Sequence, residues 1–103
     1  MQITETRIRM IDPEGKMRAV ASVTFDDCFV VHDIKIIDGQ NGMFLAMPSR
    51  KMAEDDFRDI AHPLNSFTRD MIKEAVFDAY DRALREEMNK SDEDAERIAA
   101  KFF

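Results

Sequence analysis

The hydrophobic period of this chain changes once, and that change fixes the fold class. Before Pro63-Leu64-Asn65-Ser66, apolar and polar residues alternate, the period of strands with one face buried. After it, apolar residues recur at helical spacing, and no Gly or Pro interrupts as far as about Asn89. Asn65 or Ser66 supplies the start signal, because a short polar side chain accepts the free amides of a first helical turn. The prediction is an α+β single domain over residues 1–90, with a sheet over residues 2–60 and a helix over about 66–89. A separate helical tail follows over residues 91–103.

The alternation resolves into strands. Gln2 to Met10 sets Arg7 and Arg9 opposite Ile8 and Met10, and Met17 to Phe25 sets Ala19, Ala21, Val23 and Phe25 on one side. Between them, Asp12-Pro13-Glu14-Gly15 carries turn chemistry, with proline presetting φ and glycine accepting positive φ. After Asp26-Asp27-Cys28, the β-branched run Phe29 to Ile37 reads as the central strand. Asp38 to Gly42 is a loop, and Met43 to Met47 a short strand that Pro48 ends, since proline cannot donate to a ladder. Four strands in meander order predict an antiparallel sheet, with a fifth short strand at Phe57 to Ile60.

On the long helix, Met71-Ile72, Ala75-Val76, Ala79-Tyr80 and Ala83-Leu84 recur every four residues, so the apolar stripe creeps around the axis. Two faces result. Met71, Ile72, Ala75, Val76, Ala79 and Ala83 form a small-residue face suited to the sheet, and Phe77, Tyr80, Leu84 and Met88 form a second sector. That sector needs a cover, either the tail or a partner subunit. Ser91-Asp92-Glu93-Asp94 reads as the cap of another short helix, Ala95 to Phe103.

Composition bounds the function. At 103 residues and 45% hydrophobic content the chain builds one modest core, and a domain of this size is usually marginal unless it oligomerises. A net charge of −6, split as −3 on each side of Asn65, argues against a generally basic, DNA-coating protein. Any contact with nucleic acid must therefore be local. The single Cys28 excludes an internal disulfide and fits a reducing compartment. Charges in the first seven residues and the lack of a run of about 18 apolar residues point to an unexported cytoplasmic protein with no membrane contact.

Phe44 to Lys51 joins an apolar strand to a basic loop, and Phe57 to Pro63 follows after an acidic gap. Arg50, Lys51 and Arg58 are the candidate nucleic-acid-binding residues, because cations on a stiff strand end meet phosphates at fixed spacing and arginine holds two oxygens at once. Read alone, such a pair is an ordinary solvated loop. Glu54, Asp55 and Asp56 weaken the local field, so binding should be moderate and salt-sensitive. Cys28, His32 and His62 lack the paired spacing of a zinc site, so no metal or cofactor is expected. Ser49, Asp59 and His62 have the residue types of a hydrolytic triad, but no nucleophile turn or oxyanion-hole glycine accompanies Ser49. Gly39-x-x-Gly42 lacks the ending and the following helix of a phosphate loop. Neither catalysis nor a small-molecule substrate is expected. The eight methionines fall mostly at core periods.

Several blocks, in order, resemble the stage V sporulation protein G (SpoVG) family, also called septation regulators. They are Met1-Gln2-Ile3-Thr4, Val23-Thr24-Phe25-Asp26, Phe29 to Ile34, Ile37-Asp38-Gly39, Asn41-Gly42, Ala46-Met47-Pro48-Ser49 and Phe57 to Pro63, and the likeness runs to about Tyr80. The resemblance implies a small antiparallel sheet with C-terminal helices, assembled as a homodimer whose sheets join. It also implies site-selective binding of DNA, RNA or both by a regulator linked to septation, sporulation and gene control. The family's binding residues are basic ones in the loop after the Met-Pro-Ser block, here Arg50 and Lys51; Arg58 is added from its own position. Met52 to Asp56 departs from the family pattern, in which the loop often carries further basic or small residues, and nothing is carried over to Glu86 through Phe103. A competing expectation is a protein-interaction module that docks a division partner through Phe77, Tyr80, Leu84 and Met88.

Overall fold

The computed structural model describes the backbone of residues 1–102 and the side chains of residues 1–87. Strands β1 (Ile3–Met10), β2 (Met17–Phe25), β3 (Phe29–Gly39) and β4 (Gly42–Ala46) form an antiparallel sheet in the order β1-β2-β3-β4, the predicted meander. Alternation on β2 follows the sequence pattern, with Ala19, Ala21, Val23 and Phe25 buried on one face.

Positive φ angles are carried by aspartates more than by glycines. Asp26 and Asp27 both take positive φ in the β2–β3 turn, and the Cys28 amide donates to the Phe25 carbonyl at 2.9 Å, the geometry of a type I′ turn, with Phe25 paired to Phe29. Thr4 Oγ1 accepts the Asp27 amide and Asp26 Oδ1 accepts the Gln2 amide, which ties this turn to the start of β1. Asp33, at φ 63°, sits inside β3, where the register with β2 shifts between Ala21 and Val23. That bulge changes the parity of the inward set, so Val31 faces the core on one side of it and Ile34 and Ile36 on the other. Gly15 does not take positive φ; a Cβ there would stand 2.6 Å from Asp12 Oδ2, so the exposed Asp12 side chain would have to move.

Helix α1 (Ser66–Phe102) starts where the polar cap predicts: Asn65 Oδ1 accepts the Thr68 amide at 2.8 Å. It lies over β1 and β2, and Ile72, Val76 and Tyr80 close the core with the β2 residues, Ile34 and Ile36. The small side chains of Ala19 and Ala21 give the helix room to approach.

Two expectations about the helix are corrected. Tyr80, only 4% exposed, belongs to the sheet-facing stripe with Ile72 and Val76 rather than to a second sector, because residues at i, i+4 and i+8 stack on one side. Phe77 and Leu84 are half-buried against the same core, and the side chain of Met88 lies outside the described residues. The predicted break at Ser91 is also absent. α1 runs unbroken for 37 residues, about 55 Å, since extending a helix adds one hydrogen bond per residue and no Gly or Pro stops it.

The fifth strand does not join the main sheet. β5 (Ser49–Ala53) and β6 (Asp56–Asp59) pair with each other as a separate antiparallel hairpin, so the predicted basic loop is itself a strand. Among the described residues no helix is long and apolar enough to cross a membrane.

Candidate nucleic-acid interface

The hairpin that carries the predicted cations is exposed at every residue of both strands. Proline at 48 breaks the β4 ladder, and the Ile60 amide, donating to the Pro48 carbonyl at 2.7 Å, closes the base. Asp55 supplies the positive φ of the turn, and one extra residue, Met52, is accommodated where the register shifts between Lys51 and Ala53.

Register decides which cations work together. Arg50 is paired with Arg58 and Lys51 with Phe57. Successive side chains of a strand point to opposite faces, so Arg50 and Arg58 share one face while Lys51 shares the other with Ser49, Phe57 and Asp59. The predicted triplet is therefore divided: the structure brings Arg50 and Arg58 together and turns Lys51 away. Two like charges directly opposite each other are unfavourable in a free hairpin. Their nearest compensation is Asp56, whose Oδ2 lies 3.9 Å from Arg58 Nε, a long pair between exposed groups. Among the described residues neither Arg50 nor Lys51 makes an ion pair within 4 Å.

The other face of the hairpin looks across a groove at the edge strand β4 and the first turns of α1. Phe44, Phe57, Ser49, Asp59, His62, Arg69 and Lys73 all line it. Gly39 sets the position of Phe44, since a Cβ at 39 would stand 2.8 Å from the ring. The sequence pattern named Phe44 and Phe57 only as the ends of the two stretches that carry the basic residues and placed neither Arg69 nor Lys73 at the site. The available signal was the i, i+4 spacing of Arg69 and Lys73, which puts both on one side of the helix.

Ser49, Asp59 and His62 do share this groove, yet they do not form a triad. His62 Nδ1 donates to the Pro63 carbonyl at 3.1 Å, which uses the nitrogen an orienting carboxylate would hold, and no hydrogen bond links the three side chains. Cys28 lies exposed in the β2–β3 turn, while His32 Nδ1 lies 2.8 Å from Ser22 Oγ on the outer sheet face. Among the described residues no group of three His, Cys, Asp or Glu is placed to hold a metal ion. Elsewhere on the surface, the hydrogen bond from Arg7 to Glu5, reinforced by the carboxylate charge, raises the Arg7 pKa.

Comparison with known proteins extends this reading. Residues 1–82, which include the whole hairpin and the groove, match the SpoVG family model. The "Putative septation protein SpoVG" of Alkaliphilus oremlandii is 66% identical over 82 residues, covering 80% of this chain and 88% of that protein. Its namesake in Caldicellulosiruptor bescii is 62% identical over 84 residues, 82% of this chain and 96% of the relative. The Clostridium acetobutylicum protein of the same name is 56% identical over 92 residues, 89% and 97% respectively. With identities this high along nearly the full length of its relatives, the chain belongs to the SpoVG family.

Proposed function

We propose that the protein is a site-selective nucleic-acid-binding regulator, linked to septation, sporulation and gene control, that acts as a homodimer and has no catalytic role. The observation that carries this reading is the cross-strand pair Arg50 and Arg58 on an exposed hairpin. Two arginines held at one register position, with a single carboxylate 3.9 Å from Arg58 and none paired with Arg50, are a poor arrangement for stability and a good one for phosphate oxygens. Such contacts fix register and affinity and leave selectivity to other side chains or to nucleic-acid shape.

The test is Arg50→Ala/Arg58→Ala, with duplex binding measured across salt. Each lost phosphate contact flattens the log–log slope by about 0.9, so the double variant should lose about 1.8 per engaged protomer. An unchanged slope in a folded variant overturns the assignment. Sedimentation of the wild-type protein tests the dimer, and a stable monomer at micromolar concentration refutes it.

The reading as a protein-interaction module is weakened by the burial of Tyr80 and rests on Phe77 and Leu84, both half-covered by the core. Partner capture abolished by Phe77→Glu, with nucleic-acid binding intact, would favour it.

A further inference from the structure

The groove between the edge of β4, the β5–β6 hairpin and the start of α1 contains about 480 Å³ of open space, within the range of small-ligand sites. Its aromatic side chains are left in solvent: Phe44 is 47% exposed and Phe57 64%. Met47 and Pro63 supply apolar surface between them. Arg69 and Lys73, one helical turn apart, line the groove from the helix, and Lys51 shares the hairpin face of Phe57. Of these, the two lining cations Arg69 and Lys73 stand against one lining carboxylate, Asp59, so the lining is net positive by one on a chain of net charge −6.

Arg69 is placed against its own interest as a helix residue. It sits in the first turn of α1, where the helix dipole disfavours a cation and which itself carries no acidic residue; Asp70 follows it and Asp59 lines the same groove. A positive charge kept there, beside two uncovered aromatic rings, calls for an occupant that is anionic and flat at once. A nucleotide unites both properties in one unit. In an intact duplex, however, base faces are stacked on each other and cannot reach a protein ring, so the occupant must be unpaired.

We propose that this groove receives an unpaired base stacked on Phe57 and Phe44, with its flanking phosphates on Arg69 and Lys73, and that the preferred ligand is single-stranded nucleic acid. The proposal deepens the nucleic-acid reading above and rests on it.

The experiment uses fluorescent 12-mer strands, DNA and RNA in parallel, a duplex of the same sequence, and a strand whose central positions are abasic. The abasic strand keeps every phosphate and removes only the stacking faces. The wild-type protein should bind the intact strand about 5- to 150-fold more tightly than the abasic one, the range expected for one stacked base. Phe44→Leu/Phe57→Leu, which keeps apolar bulk and loses the rings, should bring that ratio towards one. Equal affinity of wild-type protein for intact and abasic strands overturns the proposal, and this arm needs no variant to fold. A ratio unchanged in the folded double variant overturns it as well. Steep salt dependence with blindness to abasic sites removes the base pocket and leaves the phosphate reading standing. Failure to bind any strand or duplex removes both. If the double variant converts a dimer into a monomer in sedimentation, the groove is covered by a second copy and the proposal falls.

Discussion

Replacing Arg50 with glutamate should strengthen the hairpin while abolishing the proposed phosphate contact. Arg50 and Arg58 are register partners on an exposed face. Two unit charges about 6 Å apart in water repel by about 0.7 kcal/mol, which screening at 0.15 M salt halves to about 0.3 kcal/mol. Arg50→Glu turns that repulsion into attraction, a swing of about 0.7 kcal/mol, or roughly threefold in the opening equilibrium of the hairpin. Native-state hydrogen exchange reads this locally at the Ile60 amide, which bonds the Pro48 carbonyl and closes the base. Protection should rise about threefold at 0.15 M salt and the gain should nearly vanish at 1 M, where the screening length falls to about 3 Å. Duplex binding by the same variant should be lost. Unchanged or reduced protection, or a gain that ignores salt, would refute the opposition of these two cations and with it the proposed phosphate site.

Three further outcomes follow from the fold. Asp33 sits in a strand at φ 63°, so Asp33→Gly should raise unfolding free energy by about 0.5–1 kcal/mol and Asp33→Val should lower it by at least about 1 kcal/mol, both read by urea denaturation. Val76 is fully buried between helix and sheet, and Val76→Ala should cost about 2–3 kcal/mol with the denaturant slope unchanged. Asn65→Ala removes the acceptor of the Thr68 amide and should cost about 1 kcal/mol, seen as a lower thermal midpoint.

The main sheet was legible wherever one face had to be dry. On β2 every second residue is buried, and the alternation of Ala19, Ala21, Val23 and Phe25 announces it. The bulge at Asp33 was not legible, because a left-handed aspartate leaves the hydrophobic pattern of β3 looking like an ordinary run. β5 carries no buried residue at all, so its pairing is set by a turn rather than by a pattern, and Ser-Arg-Lys-Met-Ala reads as a loop. Ser91 looks like a cap in isolation, yet a helix already formed propagates through such a residue at little cost. The cations of the site were visible as residue types; which of them share a face was not, since that depends on strand register. The meeting of Phe44, Phe57, Arg69 and Lys73 is tertiary, and no local spacing encodes it.

On the proposed reading, attraction of a polyanion to an acidic chain turns on segregation by face, and the count sets a limit on what one protomer can do. Arg50 and Arg58 stand with Asp56 on one hairpin face, Lys51, Arg69 and Lys73 stand with Asp59 around the groove, and Glu54 and Asp55 are confined to the turn. Charges farther off than about 8 Å are largely screened at physiological salt, so the remaining acids matter less than the net charge suggests. Even so, these five cations can release counterions equivalent to a log–log salt slope of at most about 4.5 on duplex, whereas proteins with six to ten phosphate contacts gain their affinity from steeper ones. Two protomers on one duplex raise the ceiling to about 9. If these five residues alone make the contacts, a measured slope steeper than about 4.5 requires both copies to engage, and a shallower one at saturating dimer would mean that the second set of cations faces away from the nucleic acid.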